Sequence, residues 1–133
     1  MDIFGTVASA IDLSQKVLTY LAEYKDASKD RDLIVKEVNA IASLLPTLQG
    51  HLERVLRDGS TTSPTVAALS TLLVECKKIL EELEKTLSKA SEKINKLVTK
   101  LLWPFKKADL EQQIQKLTRI KSYLKEAVEY GTM

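Results

Sequence analysis

Cysteine, histidine, glycine and proline are all scarce in this sequence. One Cys (Cys76) and one His (His51) among 133 residues exclude a disulfide framework within the chain and leave no ligand set for a conventional structural zinc site. The lone thiol suits a reducing compartment. Four Gly and three Pro are too few for a turn-rich β protein. No run reaches the roughly 20 apolar residues of a membrane-spanning helix, and the first uncharged stretch, Ile3 to Ile11, lies between Asp2 and Asp12. A secretory signal starts basic, whereas this chain starts Met1-Asp2, so the N-terminus reads as part of the mature domain. Charge of one sign is also lacking. Twenty basic residues against eighteen acidic ones give +2, too balanced for a general nucleic-acid binder.

What is present is hydrophobic and periodic. At 14.9 kDa and 44% hydrophobic residues, the chain has the size and apolar content of one globular domain, residues 1–133. Four heptad-like apolar series follow one another. The first is Ile3, Val7, Ala10, Ser14, Val17, Leu21, Tyr24, widened by Phe4, Ile11 and Leu18. It stops at Lys25-Asp26-Ala27-Ser28, where Ser28 is a candidate cap for the next helix. The second is Ile34, Val38, Ile41, Leu45, Leu48, Leu52, Val55. Pro46 lies inside it and predicts a kink. Asp58 to Ser63 reads as a loop, with Ser63-Pro64 as cap and first helical position. The third series runs from Val66 through Leu69, Leu73, Cys76, Leu80, Leu83, Leu87, Ala90, Ile94 and Leu97 to Leu101, a helix of roughly 50 Å at 1.5 Å per residue. Trp103-Pro104-Phe105 ends it. The fourth is Leu110, Ile114, Leu117, Ile120, Leu124 and Ala127/Val128. Seven-residue spacing with short joints predicts an all-α, up-down-up-down four-helix bundle with a kinked second helix and a long third one.

The chemistry of an enzyme is missing. The sequence holds no phosphate loop, no His-x-x-x-His, no Cys-x-x-Cys and no strand-turn-helix able to raise a nucleophile. Glu81, Glu82 and Glu84 fit a solvated helix surface. His51, next to the core position Leu52, reads as a surface or boundary histidine, and Cys76 as a small core hydrophobe. The expectation is a protein without catalytic residues, cofactor, metal or small-molecule substrate.

Two features stand out against that background. Between Lys85 and Lys107 seven lysines face a single acid, Glu92, a local net of +6. At about 100° per residue from Leu83, Lys85, Lys89, Lys93, Lys96 and Lys100 fall between about 200° and 280°, opposite the core positions. They form a stripe that either solvates the bundle, helped by Glu81–Lys85 and Glu92–Lys96 pairs, or attracts anionic lipid head groups. The second feature is the uncharged start of the first helix. Ile3, Phe4, Val7 and Ile11 provide the large apolar groups, while Gly5, Thr6, Ala8 and Ser9 offer a small, uncharged outer face suited to lipid or to a closely packed helix. Burial on both sides inside the bundle is the other reading.

Met1-Asp2-Ile3-Phe4-Gly5-Thr6-Val7-Ala8-Ser9-Ala10-Ile11 and the Tyr24-Lys25-Asp26-Ala27-Ser28-Lys29-Asp30 joint with Leu33 and Glu37 carry a family resemblance. So, above all, does Leu102-Trp103-Pro104-Phe105 leading into Ile120-Lys121-Ser122-Tyr123-Leu124. Together they resemble the HeLo-like N-terminal domain of fungal STAND proteins, the fungal receptors that are similar to NOD-like immune receptors. The resemblance spans nearly the whole chain, and the Trp-Pro-Phe element is its most specific part. It implies a membrane-targeting effector of programmed cell death and heterokaryon incompatibility, similar to the executioner bundle of mixed-lineage kinase-like protein. In that class copies oligomerise and the N-terminal helix engages the bilayer. It further implies a cytoplasmic protein that relocates to the plasma membrane, with anionic lipids and further copies of itself as partners. The chain carries no nucleotide-binding domain, repeat array or amyloid motif, as expected of an excised domain or a short relative.

The competing expectation is a non-lytic helical interaction module that self-associates or recruits partners. Nucleic-acid binding through the stripe is disfavoured because aromatics do not interleave with the lysines. Trp103, Pro104 and Phe105 are expected to anchor the last helix onto the third.

Overall fold

Each of the four apolar series becomes a helix. In the computed structural model, which describes residues 3–24, 28–57, 64–97 and 103–130, these are α1 (Ile3–Leu21), α2 (Ser28–Arg57), α3 (Pro64–Leu97) and α4 (Lys107–Tyr130). No strand occurs among the described residues. The third series runs on to Leu101, but residues 98–102 lie outside the described set, as do the side chains of Ile94 and Leu97.

Local chemistry explains several of the ends. The backbone N–H groups of Glu23 and Tyr24 donate to Tyr20 and Leu21 at 3.1 and 3.2 Å, the tighter i→i−3 closure that finishes many helices. Arg31, in the first turns of α2, then donates from Nη1 to the Tyr24 carbonyl at 2.6 Å, satisfying an acceptor that α1 leaves open. Asp30 and Asp109 stand in the first turns of α2 and α4, where a carboxylate complements the helix dipole. Pro64 is the first residue of α3, a position where its missing N–H costs nothing. α2 passes through Pro46, which is exposed, so the helix acceptor it leaves without a donor lies toward water rather than the core.

The series positions are the core. Ile34, Val38, Ile41, Leu45, Leu48 and Leu52 of α2 pack with Leu73, Cys76, Leu80, Leu83 and Leu87 of α3 in one cluster, joined by Val7, Ala10, Val17 and Leu21 of α1 and by Leu110, Leu117, Ile120 and Leu124 of α4. The four helices therefore pack as a bundle. Among the described residues α1 lies against α3 and α2, and α4 lies against α2 and α3. The order around the bundle is α1, α2, α4, α3, with α2 and α3 across one diagonal and α1 and α4 across the other. Along the α3–α4 edge, Gln113 reaches Glu82 and Arg119 reaches Glu75; the numbers rise in one helix as they fall in the other.

Candidate functional site

α1 enters the bundle with a finely graded surface. Val7 and Ala10 are fully buried, and Thr6 is 4% exposed. Ile3, Phe4 and Ile11 are half-buried against the core. Gly5 and Ala8 face solvent and Ser9 is intermediate. Thr6 is thus not part of the outer face, contrary to the sequence-based expectation; it sits at the edge of the inward stripe, on the turn that also carries Val7. The first charged side chain, Asp12, is exposed and pairs with Lys16 at 3.4 Å. Further along, the buried Ser14 donates its hydroxyl to the Ile11 carbonyl at 2.7 Å, so a polar core position is satisfied by its own helix.

Of the lysine stripe, Lys85 and Lys89 are exposed, as the helical angles require. The side chains of Lys93 and Lys96, and Lys100 altogether, lie outside the described residues. Glu81 pairs with Lys77 at 3.8 Å rather than with Lys85. Glu81 and Glu82 are exposed and Glu84 is intermediate, a solvated surface.

Trp103, Pro104 and Phe105 are half-buried, and both aromatics pack on the core. Their ring contacts reach toward α1 as well as toward each other. Trp103 meets Tyr24, just past the end of α1, edge to face with centroids 5.2 Å apart, and Phe105 lies 5.2 Å from Trp103. The aromatic joint therefore ties the start of α4 to the end of α1, while Pro104 and Phe105 also line a cleft beside α3. Tyr24 is 2% exposed, and its hydroxyl and the Trp103 Nε1 have no partner. Burial, together with the neighbouring Glu23 charge, pushes the Tyr24 phenol up to about 12.

Beside this joint an open cleft of about 350 Å³ runs between α3 and α4, lined by Glu82, Lys85, Thr86, Pro104, Phe105, Asp109, Gln112 and Gln113. Its walls combine two carboxylates and a single lysine with amides, without a nucleophile and base in contact.

Two polar residues are buried where the periodicity gave no sign of them. Glu37 is 8% exposed, and Lys121 Nζ of α4 approaches its Oε2 to 2.8 Å, an ion pair by distance although not aligned as a hydrogen bond. His51 is 7% exposed, buried rather than at the surface or boundary that the sequence predicts. Arg54 lies against its Nδ1, and Nε2 is buried without a partner. Cys76 is 1% exposed, and burial pushes its thiol up to about 12, the behaviour of a core hydrophobe rather than a nucleophile.

Among the described residues no group of three or more His, Cys, Asp or Glu is placed to hold a metal ion, and no helix is long and apolar enough to cross a membrane. The chain gives no significant match to any protein-family model, curated protein or solved structure.

Proposed function

We propose that this chain is a HeLo-like effector bundle, a membrane-targeting domain of a fungal STAND receptor that acts in programmed cell death by oligomerising and engaging the bilayer with α1. The resemblance of the Trp103-Pro104-Phe105 element and of the Ile3–Ile11 stretch supports that family. The observation that carries the mechanism is the surface of α1: its first nine described residues contain no charge, although Gly5 and Ala8 face solvent. A helix built only to close a small bundle keeps a charged outer face. Lys85 and Lys89 are exposed and available for anionic head groups, each worth about 1 kcal/mol near the surface. In this reading the topology is up-down-up-down, supported by the opposed numbering along the α3–α4 edge, and α2 bends at Pro46. The protein works without catalysis or cofactor, in the cytoplasm and then at the plasma membrane.

Because its apolar run is short, α1 inserts obliquely or together with helices from other copies, and Asp12 limits the depth. The test is leakage and flotation of phosphatidylserine vesicles. Phe4→Asp with Val7→Asp abolishes leakage while binding persists. Gln at Lys85, Lys89, Lys93, Lys96 and Lys100 weakens binding, and salt does the same to the wild type. A protein deleted of residues 2–11 that folds and still permeabilises vesicles overturns the mechanism.

One observation favours the non-lytic interaction module instead. Val7, Ala10, Val17 and Leu21 are all 0% exposed, so α1 is fully invested in the resting core, while Leu33 and Tyr123, each 50% exposed, offer apolar contacts without any opening. Partner recruitment by a protein that binds no vesicles would select that reading.

A further inference from the structure

The walls of the bundle are not equally held. α1 and α4 occupy opposite sides of the α2–α3 diagonal; the Tyr24–Trp103 contact that links their ends lies in the joint before α4, so α4 from Leu110 onward can leave with that contact in place. Ten of the 19 residues of α1 are apolar side chains in contact with the core, against seven of the 24 in α4. The α1–α3 interface is the most extensive among the described residues, and the α3–α4 interface is the thinnest of the four that pair helices.

The chemistry of the two seams matches that difference. On α1 two successive small residues (Ala10, Ser14) lie between Val7 and Val17 on the buried face, which lets the helix axes approach closely. Along α3–α4 the described polar contacts are exposed: Gln113 to Glu82 at 3.4 Å and Arg119 to Glu75 at 3.1 Å. The open cleft lies on this same seam. One electrostatic contact of α4 is shielded, the Lys121–Glu37 pair to α2, with 27% and 11% of the two side chains exposed.

From these placements we infer that α4 is the releasable wall of the domain: it undocks as a unit while α1, α2 and α3 remain packed, and the Lys121–Glu37 pair is its latch. Release bares an apolar strip, Leu110, Leu117, Ile120 and Leu124, together with the α2–α3 groove beneath it. Cooperative subunits of this kind, smaller than the whole domain, open in proportion to the contacts that hold them. The inference does not depend on bilayer engagement, though for that mechanism it makes α4 and not α1 the first helix to leave.

Native-state hydrogen exchange on the whole chain in buffer, without lipid, tests it. The amides of α4 from Leu110 to Val128 are expected to exchange through one common opening, at least threefold faster than those of α1 from Val7 to Val17. A ratio below threefold, or faster exchange in α1, overturns the inference. Lys121→Gln is expected to raise α4 exchange several-fold and leave α1 exchange unchanged; an equal rise in both helices means the pair holds the bundle as a whole and also overturns it. Should Lys121→Gln fail to fold, the wild-type ratio decides alone. Because no membrane enters the experiment, its failure and a failure of vesicle leakage are separate results.

Discussion

α1 and α4 lie on opposite sides of the same two helices, yet they are built by different means. α1 gains its place by close approach: Ala10 and Ser14 at 0% exposure let its backbone near α3, and half-buried Ile3, Phe4, Ile11 and Leu18 spread the contact sideways. α4 relies on four large buried side chains, with Ile114, Ala127 and Val128 half-buried beside them, and the rest of its surface is mostly charged and polar. The difference shows that a heptad stripe alone does not fix how strongly a helix is held. The width of the stripe and the size of the residues inside it do.

The largest change to this comparison is expected from Trp103, which links the two regions. Trp103→Ala removes the indole from Tyr24 and Phe105 and is expected to lower stability by about 3 kcal/mol, the lower end for buried aromatics because the indole is only half-buried. Denaturant unfolding measures it; a midpoint unchanged from wild type would mean that α1 and α4 are not coupled through the joint. Next is alkaline pH. The Cys76 thiol is held at about 12 against an ordinary 9.0, so its neutral form is favoured by folding. That contribution is intact below pH 9 and is lost as pH rises toward 12, because only the unfolded chain ionises in between. At pH 11 the loss is about 2–3 kcal/mol, and Tyr24 adds to it in the same direction. Cys76→Ala should flatten the fall between pH 9 and 11; an identical slope removes the thiol from the account.

Ala10→Leu is expected to cost about 2 kcal/mol by overpacking the α1–α3 seam, whereas Ala127→Leu on half-buried α4 should change stability by less than about 0.5 kcal/mol. Equal effects would erase the distinction between the two walls. The smallest differences separate the ion pairs. Lys121→Gln leaves Glu37 shielded and uncompensated, for about 1 kcal/mol, while the exposed Arg119–Glu75 pair should be nearly silent in Arg119→Gln. Thermal unfolding of the two variants side by side resolves them.

The apolar periodicity was a good guide to what a single helix does. Every α2 series residue from Ile34 to Leu52 is in the core, and α1 begins and α2 continues through Pro46 where the pattern places them. The outward turn of Lys85 and Lys89 follows from 100° steps alone. What the pattern could not supply is any relation between helices. Glu37 lies in a run of exposed charge until Lys121, 84 positions away, neutralises it; no spacing rule connects them. His51 is buried by its neighbours, not by its own polarity. The Tyr24–Trp103 contact joins two joints that are each legible as breaks, yet aromatic pairing across 79 residues leaves no local trace. The order α1, α2, α4, α3 is likewise set by which stripes fit, which a one-dimensional period does not encode.

Cys76 has a practical consequence for labelling chemistry. Thiol-directed reagents attack the thiolate, and with its pKa near 12 and 1% of its surface accessible this sulfur is silent at neutral pH. The native chain is therefore expected to react with maleimides far more slowly than one bearing an exposed cysteine. A single cysteine introduced at exposed Ala8 reports on α1, and one at exposed Tyr123 reports on α4, each carrying a fluorophore or spin label that needs no background subtraction and no removal of the native thiol.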